Sequence, residues 1–159
     1  MKVKLIGTGC LGTIQNSACS LVNKKILIDV PNGTCKELER AGEDINAIQT
    51  VIITHYHADH MFDLPFMILI KSLKQNKKLN VVGPKGIEKK TRELFELAFY
   101  EPIEEDMQLN FIEILPWETK YIEDTTIVLT HMREPTRAEA EKLENNNIIV
   151  PEDGYTIDF

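Results

Sequence analysis

Three of the chain's four histidines, His55, His57 and His60, fall within the six-residue run HYHADH, together with one aspartate, Asp59. Neutral imidazoles bind zinc at about 2.0–2.1 Å and a carboxylate adds charge, so the run offers three nitrogens and two oxygens from one short stretch of chain. Two adjacent cations fit that donor count. His55 and His57 follow the apolar, β-branched segment TVIIT, and residues two apart on an extended chain point the same way, which makes them a pair. A strand that stops there leaves the histidines in a loop at a sheet edge, where side chains converge without bending regular structure. The plainer reading is a solvated polar loop or a helix cap using Asp59 and His60; three histidines in so short a span argue against it.

The elements that must position these residues can be followed along the chain. KVKLI leads into the glycine cluster GTGCLG; Ala18, Ser20 and Val22 then alternate toward the turn NK, and KILID runs to Asp29, the pattern of strands joined by hairpins. Thr34 with Glu37 forms a capping-box pattern that predicts a helix over 34–41, with Gly42 at its far end. TVIIT is a strand, and Asp63 and Pro65 suit the first turn of a helix reaching about Lys74. LNVVG is a further strand. Ile87, Leu94, Phe95 and Ala98 have helical spacing, and Pro102 stops that helix. LNFIEIL and TTIVLT read as strands, Thr136 with Glu139 as a second capping box, and IIV, PEDG and YTIDF as the closing strand-and-turn segment. No repeat, linker or low-complexity tract interrupts the order.

A chain of 159 residues, 43% of them apolar, is long enough to bury roughly two thirds of its unfolded surface, and we expect a single domain over 1–159. The 25 acidic and 18 basic residues leave a net charge of −7, which disfavours bulk binding to polyanions. Cys10, Cys19 and Cys35 are odd in number and lack C-x-x-C spacing, so neither a disulfide framework nor a zinc knuckle is implied and a reducing, cytoplasmic setting is expected. MKVKLIGTGC has too short an apolar run for a signal peptide, and FMILI falls far short of the ~20 residues that span a bilayer; no membrane association is expected.

The sequence resembles the metallo-β-lactamase superfamily, and within it the small ribonuclease Z-like and phosphodiesterase-like hydrolases. KLIGTGCLG resembles their opening strand and glycine turn, ILIDVPNGT their second motif with Asp29, VIITHYHADHMFDLP the metal signature, and IVLTHMREPTRAEAEKL with IIVPEDG the closing segment. The resemblance implies an α/β fold, an αββα sandwich whose loops hold one or two zinc ions, or alternatively manganese, at a sheet edge. His55 and His57 would bind one ion, Asp59 and His60 the second, and Asp29 would support the site from below by hydrogen bonds. From its position alone, Asp29 is equally an ordinary aspartate at a strand end.

The chain also departs from that pattern. Later family motifs supply further histidines and a Gly-Asp aspartate that bridges the metals, whereas here His131 is the one histidine after His60 and no Gly-Asp occurs. The residues before His131 resemble the approach to the first later histidine, and the residues after it resemble the segment beyond the last, as though part of the second half of the sandwich were missing. LTH at 129–131 echoes ITH at 53–55, which makes His131 a further candidate ligand. A sandwich lacking part of one layer exposes apolar sheet surface, so a homodimer is expected.

The resemblance implies metal-dependent hydrolysis of a phosphodiester or other ester by a metal-bound hydroxide, with Asp59 orienting the water. A small substrate is expected rather than transfer RNA, since GPKGIEKK is short and no protruding basic arm is evident. The competing class is a metal-binding or vestigial fold without turnover, favoured by the absent Gly-Asp. A further rival is nucleotide binding, because GTGCLG matches G-x-G-x-x-G with Asp29 seventeen residues beyond Gly12. That motif must open a helix, however, and TIQNSACSLVN alternates like a strand.

Overall fold

The computed structural model describes residues 1–10, 12–74, 77–99, 101–103 and 107–115. Its strands are β1 (Val3–Gly7), β2 (Cys19–Val22), β3 (Ile26–Ile28), β4 (Thr50–Ile52), β5 (Lys78–Gly83) and β6 (Gln108–Glu113). Its helices are α1 (Thr34–Arg40), α2 (Ala58–Met61), α3 (Leu64–Ser72) and α4 (Ile87–Phe99), with a 3₁₀ turn at Ile45–Ala47. His131 and the elements expected beyond Leu115 lie outside the described residues.

The six strands form one sheet in chain order. β1, β2 and β3 pair antiparallel, and β3 through β6 pair parallel. The β2–β3 hairpin turns at Asn23 and Lys24, both at positive φ (48° and 61°), with Lys25 N–H donating to Val22 O (3.0 Å) and Val22 paired with Ile26 across the three-residue connection. No helix follows the glycine cluster: β1 returns as antiparallel β2, which removes the dinucleotide reading.

Parallel strands laid down in order with right-handed crossovers carry all their connecting helices on one face. The core agrees. Leu21, Leu27, Val51, Leu79 and Val81 from that face are buried with Leu38 of α1, Leu64, Met67 and Ile68 of α3, and Phe95 of α4. This is an α/β fold in which the described sheet and its helices make one half of the expected αββα arrangement. The same topology brings the carboxyl ends of β3, β4, β5 and β6 to one edge, where Asp29, residues 54–60 and Pro84–Gly86 follow the first three strands and Glu113 ends the fourth.

Some local expectations are corrected. Thr34 is the first residue of α1 rather than its cap, and its hydroxyl donates to the Pro31 carbonyl (2.7 Å). The cap comes from across the fold: the buried Asp63 carboxylate accepts from Cys35 N–H at 2.7 Å. At the other end Gly42 (φ 70°) is as expected, and the bonds Gly42 N–H to Glu39 O and Glu43 N–H to Leu38 O complete a Schellman motif. The stretch Ala58–Met61 coils into the single turn α2 rather than an open loop.

Lys71 of α3 is fully buried. Its ammonium donates to the Ile48 carbonyl (2.8 Å) and approaches that of Asn46 (3.4 Å), fastening α3 to the end of the 3₁₀ turn. Burial pushes this amine below the ordinary lysine range, with Asp44 pulling the other way. Burial pushes the Cys19 thiol up to about 12. Among the described residues no helix is long and apolar enough to cross a membrane.

Candidate metal centre

The site grows from Asp29, the residue just past β3. Its backbone sits in the left-handed region (φ 59°), its N–H donates to Ile52 O of β4, and its side chain is buried. One carboxylate oxygen accepts from Thr54 N–H (2.8 Å). The Thr54 hydroxyl sits 3.0 and 2.8 Å from the two oxygens, and His60 Nδ1 lies 2.7 Å from Oδ2. Two backbone bonds, Val30 N–H to His60 O (2.7 Å) and Asp63 N–H to Val30 O (3.0 Å), clamp the β3 and α2 loops together around this carboxylate.

These contacts fix ring protons. A carboxylate only accepts, so His60 carries a proton on the Nδ1 that faces Asp29. The single proton of the Thr54 hydroxyl goes to Asp29, so toward His55 Nδ1, 3.1 Å away, the hydroxyl accepts. His55 therefore donates from Nδ1 to the Thr54 hydroxyl. One buried aspartate thus sets both rings, directly for His60 and through Thr54 for His55, the arrangement that orients metal-binding histidines.

The imidazoles converge. His55 and His60 rings lie 3.9 Å apart and those of His55 and His57 4.6 Å apart, with His55 Nε2 3.1 Å from His57 Nδ1. Two nitrogens on a tetrahedral zinc stand roughly 3.3–3.4 Å apart, so the pair has nearly the bite of a zinc site. His60 Nε2 and Asp59 Oδ2 face each other at 3.7 Å; a cation, or a second proton on His60, satisfies such a pairing of acceptors. The donors stand as two neighbouring pairs, His55 with His57 and Asp59 with His60. Among the described residues no group of three such side chains is arranged to hold an ion, and the third ligand expected of the sequence, His131, lies outside them.

The sequence reading missed Thr54 and Tyr56. Thr54 gave no signal beyond its place before the first histidine. The hydroxyl of Tyr56, between the paired histidines, donates to the Pro84 carbonyl (2.6 Å) and lies 3.1 Å from that of Lys85. Burial, and then the nearby Glu113 carboxylate, push this phenol up to about 12, so it stays a donor.

A sheet with helices on one face and histidines at its carboxyl edge defines a protein of the metallo-β-lactamase fold, as solved structures bear out. The short form of human tRNase Z superposes with a TM-score of 0.62 at 25% identity, over 73% of this chain and 45% of that one. The metallo-β-lactamase fold protein YhfI from Bacillus subtilis gives 0.55 at 18% identity, over 75% and 48% of the two chains. The chain belongs to the family described as anti-Pycsar protein Apyc1, whose pattern matches residues 1–131. It is also similar to ribonuclease Z of Lachnoclostridium phytofermentans, 34% identical over 109 residues (67% of this chain, 34% of that one). Ribonuclease Z of Metallosphaera sedula is 27% identical over 158 residues (93% and 54%). The chain spans from about a third to about half the length of these curated relatives.

Proposed function

We propose that the chain is a metal-dependent hydrolase acting on a phosphodiester or other ester, with His55 and His57 holding one zinc or manganese ion and Asp59 and His60 available to a second. The observation that supports this reading is the convergence of the three imidazoles beside the buried Asp29, which meets His60 directly and His55 through Thr54. A bound divalent cation would supply Lewis-acid charge to a phosphoryl or acyl oxygen and acidify a water. Asp59 lies at the start of α2 beside His60, where its carboxylate can bind the cation and take a proton from that water. His131 is proposed as a third ligand of the first ion.

The test is metal content together with turnover of bis(p-nitrophenyl) phosphate. Wild type should retain zinc or manganese and hydrolyse the ester; His55→Ala with His57→Ala should lose the metal, and Asp59→Asn should lose roughly 100-fold or more in rate. Undiminished metal in the double variant would sink the ligand assignment. Metal without turnover, on this ester or on transfer RNA, would leave a metal-binding protein that does not catalyse.

The same reading includes a homodimer. Val3, Leu5, Val22, Ile26, Ile28, Ile52, Val82 and Ile112 share the sheet face turned from the helices, where Val82 is fully buried and Val22, Ile26, Ile28, Ile52 and Ile112 are half-buried. Val3 and Leu5 are exposed. A second copy set against this face would remove apolar surface from water. Sedimentation equilibrium at micromolar concentration should return twice the chain mass; a monomer that binds no hydrophobic dye would rule the dimer out.

A further inference from the structure

Residues 53–57 lead from β4 to α2, with His57 extended, and this stretch sets where His55 and His57 stand. Its start is held by Ile53 N–H on Val82 O (2.8 Å) and Thr54 N–H on Asp29 (2.8 Å), its end by His57 O accepting from His60 N–H (3.0 Å). Between these anchors lies Tyr56. Its side chain packs against the core. Its hydroxyl reaches the carbonyls of Pro84 and Lys85 in the loop after β5.

That loop is itself fixed. Gly86 N–H donates to the Glu113 carboxylate at 2.6 Å, tying it to the end of β6. At its base, a Cβ on Gly83 would come within 2.9 Å of Ile87 and 3.3 Å of the Ile53 carbonyl, so the two strand ends are pressed together there. The tyrosine is thus fastened to a rigid support rather than to a second loose loop.

We propose that Tyr56 is a positioning residue for the His55–His57 pair, its hydroxyl holding the intervening backbone so that the two ring nitrogens keep their metal bite. The inference rests on the metal-binding reading above and adds a determinant outside the donor set. Rotation of the backbone at residue 56 swings both imidazoles at once, because each is attached one residue away. A hydrogen bond at this midpoint therefore restrains the pair jointly. Both acceptors are backbone carbonyls, so the hydroxyl is the half of the contact that substitution can remove. Tyr56→Phe removes it and keeps the ring where it packs.

The experiment compares zinc affinity, by competition with a chromophoric chelator, and the visible spectrum of the cobalt-substituted full chain in wild type, Tyr56→Phe and the His55→Ala, His57→Ala double variant. Far-UV circular dichroism of the zinc-free proteins confirms that each is folded. Tyr56→Phe should bind zinc roughly tenfold or more weakly and give a cobalt spectrum altered in intensity, while its circular dichroism matches wild type. Wild-type affinity and an unchanged cobalt spectrum in Tyr56→Phe, with metal lost from the double variant, would overturn the role of Tyr56 and leave the ligand assignment standing. Metal retained by the double variant would overturn the ligand assignment and this inference with it.

Discussion

Asp29→Asn should weaken zinc binding by roughly 10- to 100-fold while the protein still folds. Asparagine is among the residues that tolerate a left-handed backbone, so the φ of 59° at this position survives the change and only side-chain chemistry is altered. The carboxylate now accepts from Thr54 N–H, from the Thr54 hydroxyl and from His60 Nδ1. An amide has one acceptor oxygen. If that oxygen stays on Thr54, the NH₂ group faces His60 Nδ1, which must accept instead of donate. The His60 proton then moves to Nε2 and blocks the lone pair that would meet a cation. If the amide flips, Thr54 N–H is left facing a donor, at a cost of about 1–3 kcal/mol for an unsatisfied buried group. Titration with zinc against a chelator, together with the ¹⁵N shifts of His60, checks both halves of this argument. Zinc affinity equal to wild type would show that Asp29 serves the fold alone.

What the sequence disclosed and what it hid divide by distance along the chain. The hairpin turn at Asn23–Lys24, the helix over Ile87–Phe99 and the pairing of His55 with His57 depend on neighbours within a few residues, and their patterns were legible. Helix α1 shows the limit. Its capping-box pattern is genuine as a sequence, yet the Thr34 hydroxyl finds the Pro31 carbonyl, and a carboxylate 28 residues away takes the cap instead. Asp29 could be placed at a strand end, but whether it supported the histidines or merely closed a turn depended on β3 lying beside β4, which local pattern does not specify. Tyr56 is the extreme case: its partner is the backbone of a loop 28 residues on, and backbone acceptors leave no trace in side-chain types. Lys71, within FMILIKSLK, gives no sign in the sequence of being buried; the carbonyls of Ile48 and Asn46 that receive its ammonium lie more than twenty residues earlier in the chain.

Gly7→Ala should destabilise the fold by about 1–3 kcal/mol, the usual cost of forcing atoms into a packed interior, and lower the melting temperature by several degrees. A Cβ at Gly7 would collide with the backbone carbonyl of Ser17 and come within 2.8 Å of that of Asn16. Both obstacles are main chain, so no rotamer change relieves them. The register between β1 and β2 already shifts between Leu5 and Gly7, where Gly7 meets Cys19, and Gly9 N–H donates to Asn16 O at 2.8 Å. The returning segment 15–17 therefore lies directly on the glycines. Gly12 is the control. Nothing stands within 4 Å of its absent Cβ, so Gly12→Ala should cost only the strain of its φ of 83°, about 1 kcal/mol. The contrast separates two accounts of GTGCLG. A phosphate cradle needs its glycines so that a ligand can approach, and their replacement would spare the unliganded protein. A glycine needed because the chain folds back on it must lower thermal stability with no ligand present. Thermal denaturation of the three proteins decides between them, and a Gly7→Ala variant as stable as wild type would refute the close-packing account.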